Sequence, residues 1–153
     1  MPITAGEKSH PHAYKIARAI EVMEYEMSTP NNDYWWWSDG LYMVMPVMTK
    51  LYNITHNPLY LTKLYEYWSY ANSIMYDTET GLYYRDAKYV YPKHKSVNGK
   101  KDFWARGDGW VLAAFAKVLA DLPKDDIHRN EYLQFYQKQA AAVAACQQPE
   151  GYW

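Results

Sequence analysis

The chain has 153 residues, 49% of them apolar and 22% charged, which fits one folded domain and excludes a disordered polymer. A formal charge of −1 excludes an overall polyanion-binding surface, so no nucleic-acid partner is expected; one cysteine, Cys146, excludes an internal disulfide and a thiolate metal cage. The outlier is aromatic content, 17 tyrosines and seven tryptophans, which suits a protein that handles flat, polar rings such as sugars.

Residues 1–12 contain no apolar stretch, so no signal peptide is read there. No run is long enough to span a bilayer, and a soluble chain without a membrane partner, cytoplasmic by preference, is expected. His10-Pro-His12 reads as a frayed terminus rather than a metal clip. The first helix spans Tyr14–Met27, because Ile16, Ile20, Met23 and Met27 recur on one stripe. Ser28-Thr-Pro-Asn-Asn-Asp33 ends it. A second helix is predicted from Ser38, as N-cap, to about Asn53, with Pro46 kinking or dividing it. Asn57-Pro58 opens a third, carried by Leu61, Leu64, Tyr65, Trp68, Ala71 and Met75.

Asp77-Thr-Glu-Thr-Gly81 is a turn signal, and residues 82–91 read as a short β-hairpin or an extended loop. A basic loop follows from Pro92 to Lys101, with Asn98-Gly99 at its tip. The fourth helix starts near Gly107–Gly109 and runs to Pro123, and the fifth covers about Ile127–Gln147. The fold class is all-α: paired antiparallel helices joined by short turns, in a solenoid or a closed double-layered barrel. No strict repeat period is found, which weakens the solenoid.

Two segments could carry chemistry. In Asp33-Tyr-Trp-Trp-Trp-Ser-Asp39, three consecutive tryptophans cannot all face one core, so at least one should line a cleft. Asp39 falls in a first helical turn, where the dipole favours its charged form and the aromatic wall its neutral one. A carboxyl held neutral can act as a general acid, but Asp39 could equally cap the helix with Ser38. In Phe103-Trp-Ala-Arg106-Gly-Asp108-Gly-Trp110 a guanidinium sits between two indoles, a combination suited to an acidic sugar. Its competing reading is a helix N-terminus in which Asp108 is a first-turn acid and Arg106 its surface partner. Arg85 could join the same cleft or simply pair with Asp86.

Trp35-Trp-Trp-Ser-Asp39-Gly-Leu-Tyr-Met43, Gly81-Leu-Tyr-Tyr-Arg-Asp86 and Phe103-Trp-Ala-Arg-Gly-Asp-Gly-Trp110 together resemble the unsaturated rhamnogalacturonyl hydrolases. These are glycoside hydrolases of family 105, related to the unsaturated glucuronyl hydrolases of family 88. The resemblance extends over nearly all of Lys15–Trp153. It implies an (α/α)6 barrel and removal of a Δ4,5-unsaturated uronic acid from pectin-derived oligosaccharides by hydration of its enol ether. Carried over by position, Asp39 is the general acid/base, Trp37, Trp104 and Trp110 shape the pocket, and Arg106 holds substrate. Arg85 stands where many members have a substrate-binding histidine. No metal or organic cofactor is implied.

The family also uses a second acidic residue several helices upstream, and nothing before Asp39 supplies it. A twelve-helix barrel needs on the order of 300 residues. Residues 1–153 are therefore expected to be a partial barrel domain, incomplete at both ends and inactive alone. Self-association is expected through exposed edges on the first helix (Ile16, Ile20, Met23) and the fifth (Val143, Ala144, with Tyr152-Trp153). A carbohydrate-binding protein without turnover and a helical interaction module remain as alternatives.

Overall fold

The computed structural model describes residues 11–153, so His10 lies outside the described residues, while Pro11 and His12, read above as part of a frayed terminus, belong to the first turn of a helix. The chain divides into two compact units, residues 1–31 and 32–153. In the first, helix α1 runs Pro11–Met27. Its last turn closes through short polar side chains, as the composition of 28–33 predicts: Ser28 donates its Oγ to the carbonyl of Tyr25 at 2.7 Å and Thr29 its Oγ1 to that of Glu26 at 3.1 Å.

The second unit contains α2 (Ser38–Thr55), α3 (Leu59–Met75), α4 (Ala105–Asp121) and α5 (Arg129–Ala145). All are within a few residues of the spans expected from apolar periodicity. Pro46 stands inside α2 without dividing it. It removes one main-chain donor, and burial of its neighbours Met45, Met48 and Thr49 holds the helix together across that gap. His56 turns the chain after α2 in the left-handed region (φ 56°), donating its N–H to Tyr52. Asn57 Oδ1 then accepts the Leu59 N–H at 3.0 Å to open α3.

Two pairs of contacts give the relative direction of α2 and α4. At one end, a Cβ placed on Gly107 would lie 2.6 Å from Ser38 Oγ. At the other, Lys50 Nζ meets Asp121 Oδ2 at 2.8 Å and Asn53 Nδ2 donates to the Asp121 carbonyl at 3.1 Å. First turn meets first turn and last meets last, so the two helices run parallel, side by side. Helices α3 and α5 return antiparallel, α3 against α2 and α5 against α4. The result is two αα-hairpins with their first helices in contact.

Much of the aromatic excess fills the space between these layers. Trp68 of α3 is buried and packs edge-on to Phe115 of α4 and to Phe135 of α5, with Tyr132 4.9 Å away. Tyr60, Tyr67 and Tyr132 are buried as well. The purely apolar partners are Leu41, Met45 and Met48 from α2 and Val111, Ala114 and Val118 from α4. On α5 the outer side stays open: Ala144, Tyr152 and Trp153 are exposed and Val143 partly so.

The segment between α3 and α4 is the extended alternative, not a hairpin. Among the described residues it forms isolated antiparallel bridges, Tyr76 with Tyr83 and Trp37 with Asp86, and no strand. Gly81 (φ +80°) makes the turn that brings Leu82 back to Asp77. The basic loop is partly tied down, because Lys101 binds Asp77 at 2.8 Å and Glu79 at 2.6 Å.

Candidate functional site

The parallel first turns of α2 and α4 define one end of the unit, and the same local design builds both. Trp37 is the N-cap residue of α2 and Trp104 that of α4, each in extended conformation with no side-chain capping bond. Three residues later come Gly40 and Gly107. A Cβ on Gly40 would lie 3.2 Å from the Trp37 ring, and one on Gly107 would lie 2.9 Å from Trp104 Cε3. Each indole therefore folds back over its own helix start, and each glycine is there to admit it. Asp39 and Arg106 occupy the same register, two residues past the indole and one before the glycine.

This corrects the expected role of Ser38. It is the first helical residue, not the N-cap; its N–H goes to the Arg85 carbonyl at 2.9 Å, and its Oγ is buried against Gly107 with no hydrogen-bond partner among the described residues. The bridge between Trp37 and Asp86 fixes the preceding residue in extended geometry, so the loop backbone does the work of a cap. Asp39 makes no capping bond either. It is part-buried, and its Oδ1 is shielded from solvent with no hydrogen-bond partner among the described residues. A carboxylate oxygen left in that state awaits a donor.

The three tryptophans divide as their spacing requires: Trp35 is buried on Tyr67, Trp36 is exposed, and Trp37 lies part-buried 4.8 Å from Trp36. Arg106 is exposed with its guanidinium 4.5 Å from the Trp104 ring. The Trp110 ring lies tilted against Tyr42 of α2, their centroids 4.5 Å apart, one turn deeper. Arg85 is half-exposed, 3.3 Å from Asp86 Oδ2, with its guanidinium 5.2 Å from the Tyr89 ring. Arg85, Tyr89, Asp102, Phe103 and Trp104 line a half-open surface pocket of about 250 Å³. Trp37, Asp39, Trp104 and Arg106 thus share one end of the α2–α4 pair, with Trp110 at its inner margin and Arg85 on the adjoining loop.

Asp108 contradicts the surface pairing considered for it. Its side chain is 3% exposed and turned away from Arg106, because residues two apart on a helix do not face each other. Its Oδ1 accepts from the Tyr83 N–H at 2.8 Å and from Gln139 Nε2 at 3.3 Å, tying the loop and α5 to the start of α4. Burial raises its pKa to about 6, and the two donors only partly offset that. Asp86 is also buried, with Oδ1 accepting the Lys88 N–H at 2.8 Å. From the sequence Asp108 reads as a first-turn acid and Asp86 as a partner for Arg85, neither as a buried acid, and Gln139 was not singled out; the i, i+2 spacing of Arg106 and Asp108 carried the signal. Among the described residues no three His, Cys, Asp or Glu side chains converge as metal ligands would. None of the described helices is long and apolar enough to cross a membrane.

Compared with known proteins, residues 5–153 match Glycosyl Hydrolase Family 88. A curated relative from Formosa agariphila, an unsaturated 3S-rhamnoglycuronyl hydrolase, is 35% identical over 123 residues, which make up 78% of this chain and 33% of that protein. Two solved structures superpose with a TM-score of 0.90, each over 96% of this chain and 42% of the other. One, 76% identical, is described as a polysaccharide lyase; the other, 65% identical, is a glycosyl hydrolase family 88 protein from Bacteroides vulgatus. The five helices are part of the six-hairpin (α/α)6 barrel of such proteins, and the chain spans about a third of the curated relative's length.

Proposed function

The chain belongs to Glycosyl Hydrolase Family 88, and we propose that the joined first turns of α2 and α4 form part of a site that hydrates Δ4,5-unsaturated uronic acids on rhamnose-containing, pectin-type oligosaccharides. The observation that carries this reading is the shared register of Asp39 and Arg106 on two parallel helices, each beside an N-cap indole. Asp39 protonates C4 of the enol ether, which leaves an oxocarbenium ion at C5. Water adds to C5 and returns a proton to the carboxylate, giving a hemiketal. The ring then opens to a 5-keto sugar and the aglycone leaves from C1, with one water consumed. Arg106 holds the uronate carboxylate, and Trp37, Trp104 and Trp110 supply ring faces that exclude bulk water. Arg85 binds from the loop side. The chemistry needs no cofactor. The exposed edge of α5, where Tyr152 and Trp153 stand in solvent, supports the further proposal that the chain self-associates.

A second reading has its own support, since the 76% identical structure is described as a lyase. In that case the site creates the C4=C5 bond by removing the C5 proton and expelling the C4 substituent. The two reactions have opposite optical signs: hydration bleaches the ultraviolet band of the conjugated enol ether, and elimination builds it. The deciding experiment follows that band in the protein expressed from its complete open reading frame, wild type and Asp39→Asn. Bleaching by the wild type, reduced about 100-fold or more by Asp39→Asn with an unchanged circular dichroism spectrum, is expected. Growth of the band establishes the lyase. Binding without any optical change establishes a carbohydrate-binding protein, and an active Asp39→Asn variant removes Asp39 from the chemistry.

A further inference from the structure

Residues 82–86 run as extended backbone between the starts of α4 and α2, and the two edges of that backbone have different neighbours. On one edge Asp77 donates its N–H to the Leu82 carbonyl and Tyr84 donates to the Met75 carbonyl, both at 2.9 Å, so the end of α3 and the turn after it hold that side. On the other edge the Tyr83 N–H goes to Asp108 Oδ1 at 2.8 Å, and the Arg85 carbonyl accepts the Ser38 N–H at 2.9 Å. Residues two apart in an extended chain present their main-chain groups to the same edge, about 7 Å apart. The Asp108 carboxylate therefore takes the place of a neighbouring strand at one position, and the start of α2 takes it at the next.

Helix capping does not account for that carboxylate. Trp104 is already the N-cap of α4, and the Asp108 N–H bonds its carbonyl at 3.1 Å as an ordinary helical turn. Burying a carboxylate is costly, and an apolar side chain at 108 would leave the Tyr83 N–H without this acceptor. Gln139 holds Asp108 from behind: its fully buried side chain donates through Nε2 to Oδ1 at 3.3 Å and to the Asp108 carbonyl at 3.1 Å. The contacts thus run from α5 through Asp108 to the 82–86 segment, and from that segment to Ser38, the residue before Asp39. The far end matters because α2 has no side-chain cap, and the Ser38 N–H depends on the Arg85 carbonyl.

We propose that Asp108 is a positioning residue for the site: it fixes Tyr83, and the 82–86 segment, acting through Arg85 and Ser38, then holds the first turn of α2, with Asp39, in its place against α4. Asp108 touches no substrate and acts through the backbone of its neighbours. The proposal rests on the reading of Asp39 as the reacting group, and its test includes a measurement that needs no substrate.

The protein expressed from its complete open reading frame is compared as wild type, Asp108→Ala, which removes the acceptor, and Asp108→Asn, which keeps an oxygen for Tyr83 and Gln139 to donate to. Asp108→Ala is expected to lower kcat on the unsaturated substrate about tenfold or more, since a misplacement of ~1 Å can cost as much as about 100-fold. Asp108→Asn is expected to return kcat to within about threefold of wild type. Residue-resolved amide hydrogen exchange, measured without substrate, should quicken about tenfold at Ser38 in Asp108→Ala relative to Met48 in the middle of the same helix, a local opening that a general loss of stability does not produce. An unchanged kcat in folded Asp108→Ala, an Asp108→Asn as impaired as Asp108→Ala, or Ser38 exchange that only keeps pace with Met48 overturns the positioning role. Where Asp108→Ala does not fold, Gln139→Met, which removes only the donor behind Asp108, is held to the same outcomes at about threefold. A wild type that leaves the ultraviolet band unchanged overturns the Asp39 reading instead, and exchange at Ser38 then still decides whether Asp108 holds the start of α2.

Discussion

Gly107 and Gly109 stand two residues apart in the same helix and offer a controlled test of how tightly the α2 and α4 starts are joined. At Gly109 an added methyl meets nothing within 4 Å. At Gly107 it would lie 2.6 Å from Ser38 Oγ, 3.4 Å from Ser38 Cβ and 2.9 Å from Trp104 Cε3. Both substitutions to alanine gain the same intrinsic helix preference, about 1 kcal/mol, which cancels when the two variants are compared. What remains is overpacking. The Ser38 hydroxyl can rotate away, but the indole edge has to move as a rigid body, so a cost of roughly 1–3 kcal/mol is expected for Gly107→Ala relative to Gly109→Ala. For a chain of this size about 2 kcal/mol corresponds to a gap of roughly 4–8 °C in melting temperature. Thermal and urea denaturation of the two purified variants measure it directly. Equal stability of Gly107→Ala and Gly109→Ala would refute the close apposition, and with it the shared register of Asp39 and Arg106.

Arg106→Lys keeps the charge but loses the planar fork that meets a carboxylate with two bonds, and kcat/KM for the unsaturated substrate should fall about tenfold or more; a wild-type value would leave Arg106 as a helix-terminus residue with no part in holding substrate. Asp108 predicts a slope of stability with pH. Its folded-state pKa of about 6 lies above the ordinary 3.8, so between those values the folded chain binds more protons than the unfolded one and stability declines as pH rises, levelling off beyond 6. Urea midpoints at pH 4 and pH 7 should show this decline, on the order of 2–3 kcal/mol, and Asp108→Asn should flatten it; an unchanged slope in the variant would assign the decline to other groups.

The helices were legible because their signal is local. Ile16, Ile20, Met23 and Met27, or Leu64, Trp68, Ala71 and Met75, repeat at helical spacing whatever the chain does elsewhere. Helix starts were less so. The expectation put the start of α4 near Gly107–Gly109, two residues late, whereas the helix begins at Ala105 and Gly107 is a packing position for Ser38 and Trp104. The Ser38 cap was misplaced for a related reason: its N–H is satisfied by Arg85, 47 positions along the chain, and no local pattern announces that bond. Of the candidate site, the individual residues were legible and their grouping was not. Spacing alone says nothing of whether α2 and α4 run parallel, which depends on Lys50 and Asn53 reaching Asp121. The recurrence of Trp-x-x-Gly at 37–40 and 104–107 was the sequence signal that could have paired them.

That recurrence also brings Asp39 and Arg106, the proposed proton donor and anion-holding group, to the same end of the α2–α4 pair without a dedicated loop. Because Ser38 meets Gly107 at one end of the parallel helices and Asn53 meets Asp121 at the other, the residues two positions after each N-cap indole stand in the first turns at the same end of the pair. The helix starts each carry about half a positive charge. One such end favours a single anion, but the proposed chemistry brings two, the Asp39 carboxylate after protonation of C4 and the uronate of the substrate. The second helix start and the exposed Arg106 guanidinium make up the difference on the proposed reading. A lysine at 106 would retain the charge balance while losing the directional grip, and a neutral residue there would lose both. On this reading Arg106→Gln should therefore fall further in kcat/KM than Arg106→Lys, and the opposite order would mean that charge at the helix ends is not what holds the substrate.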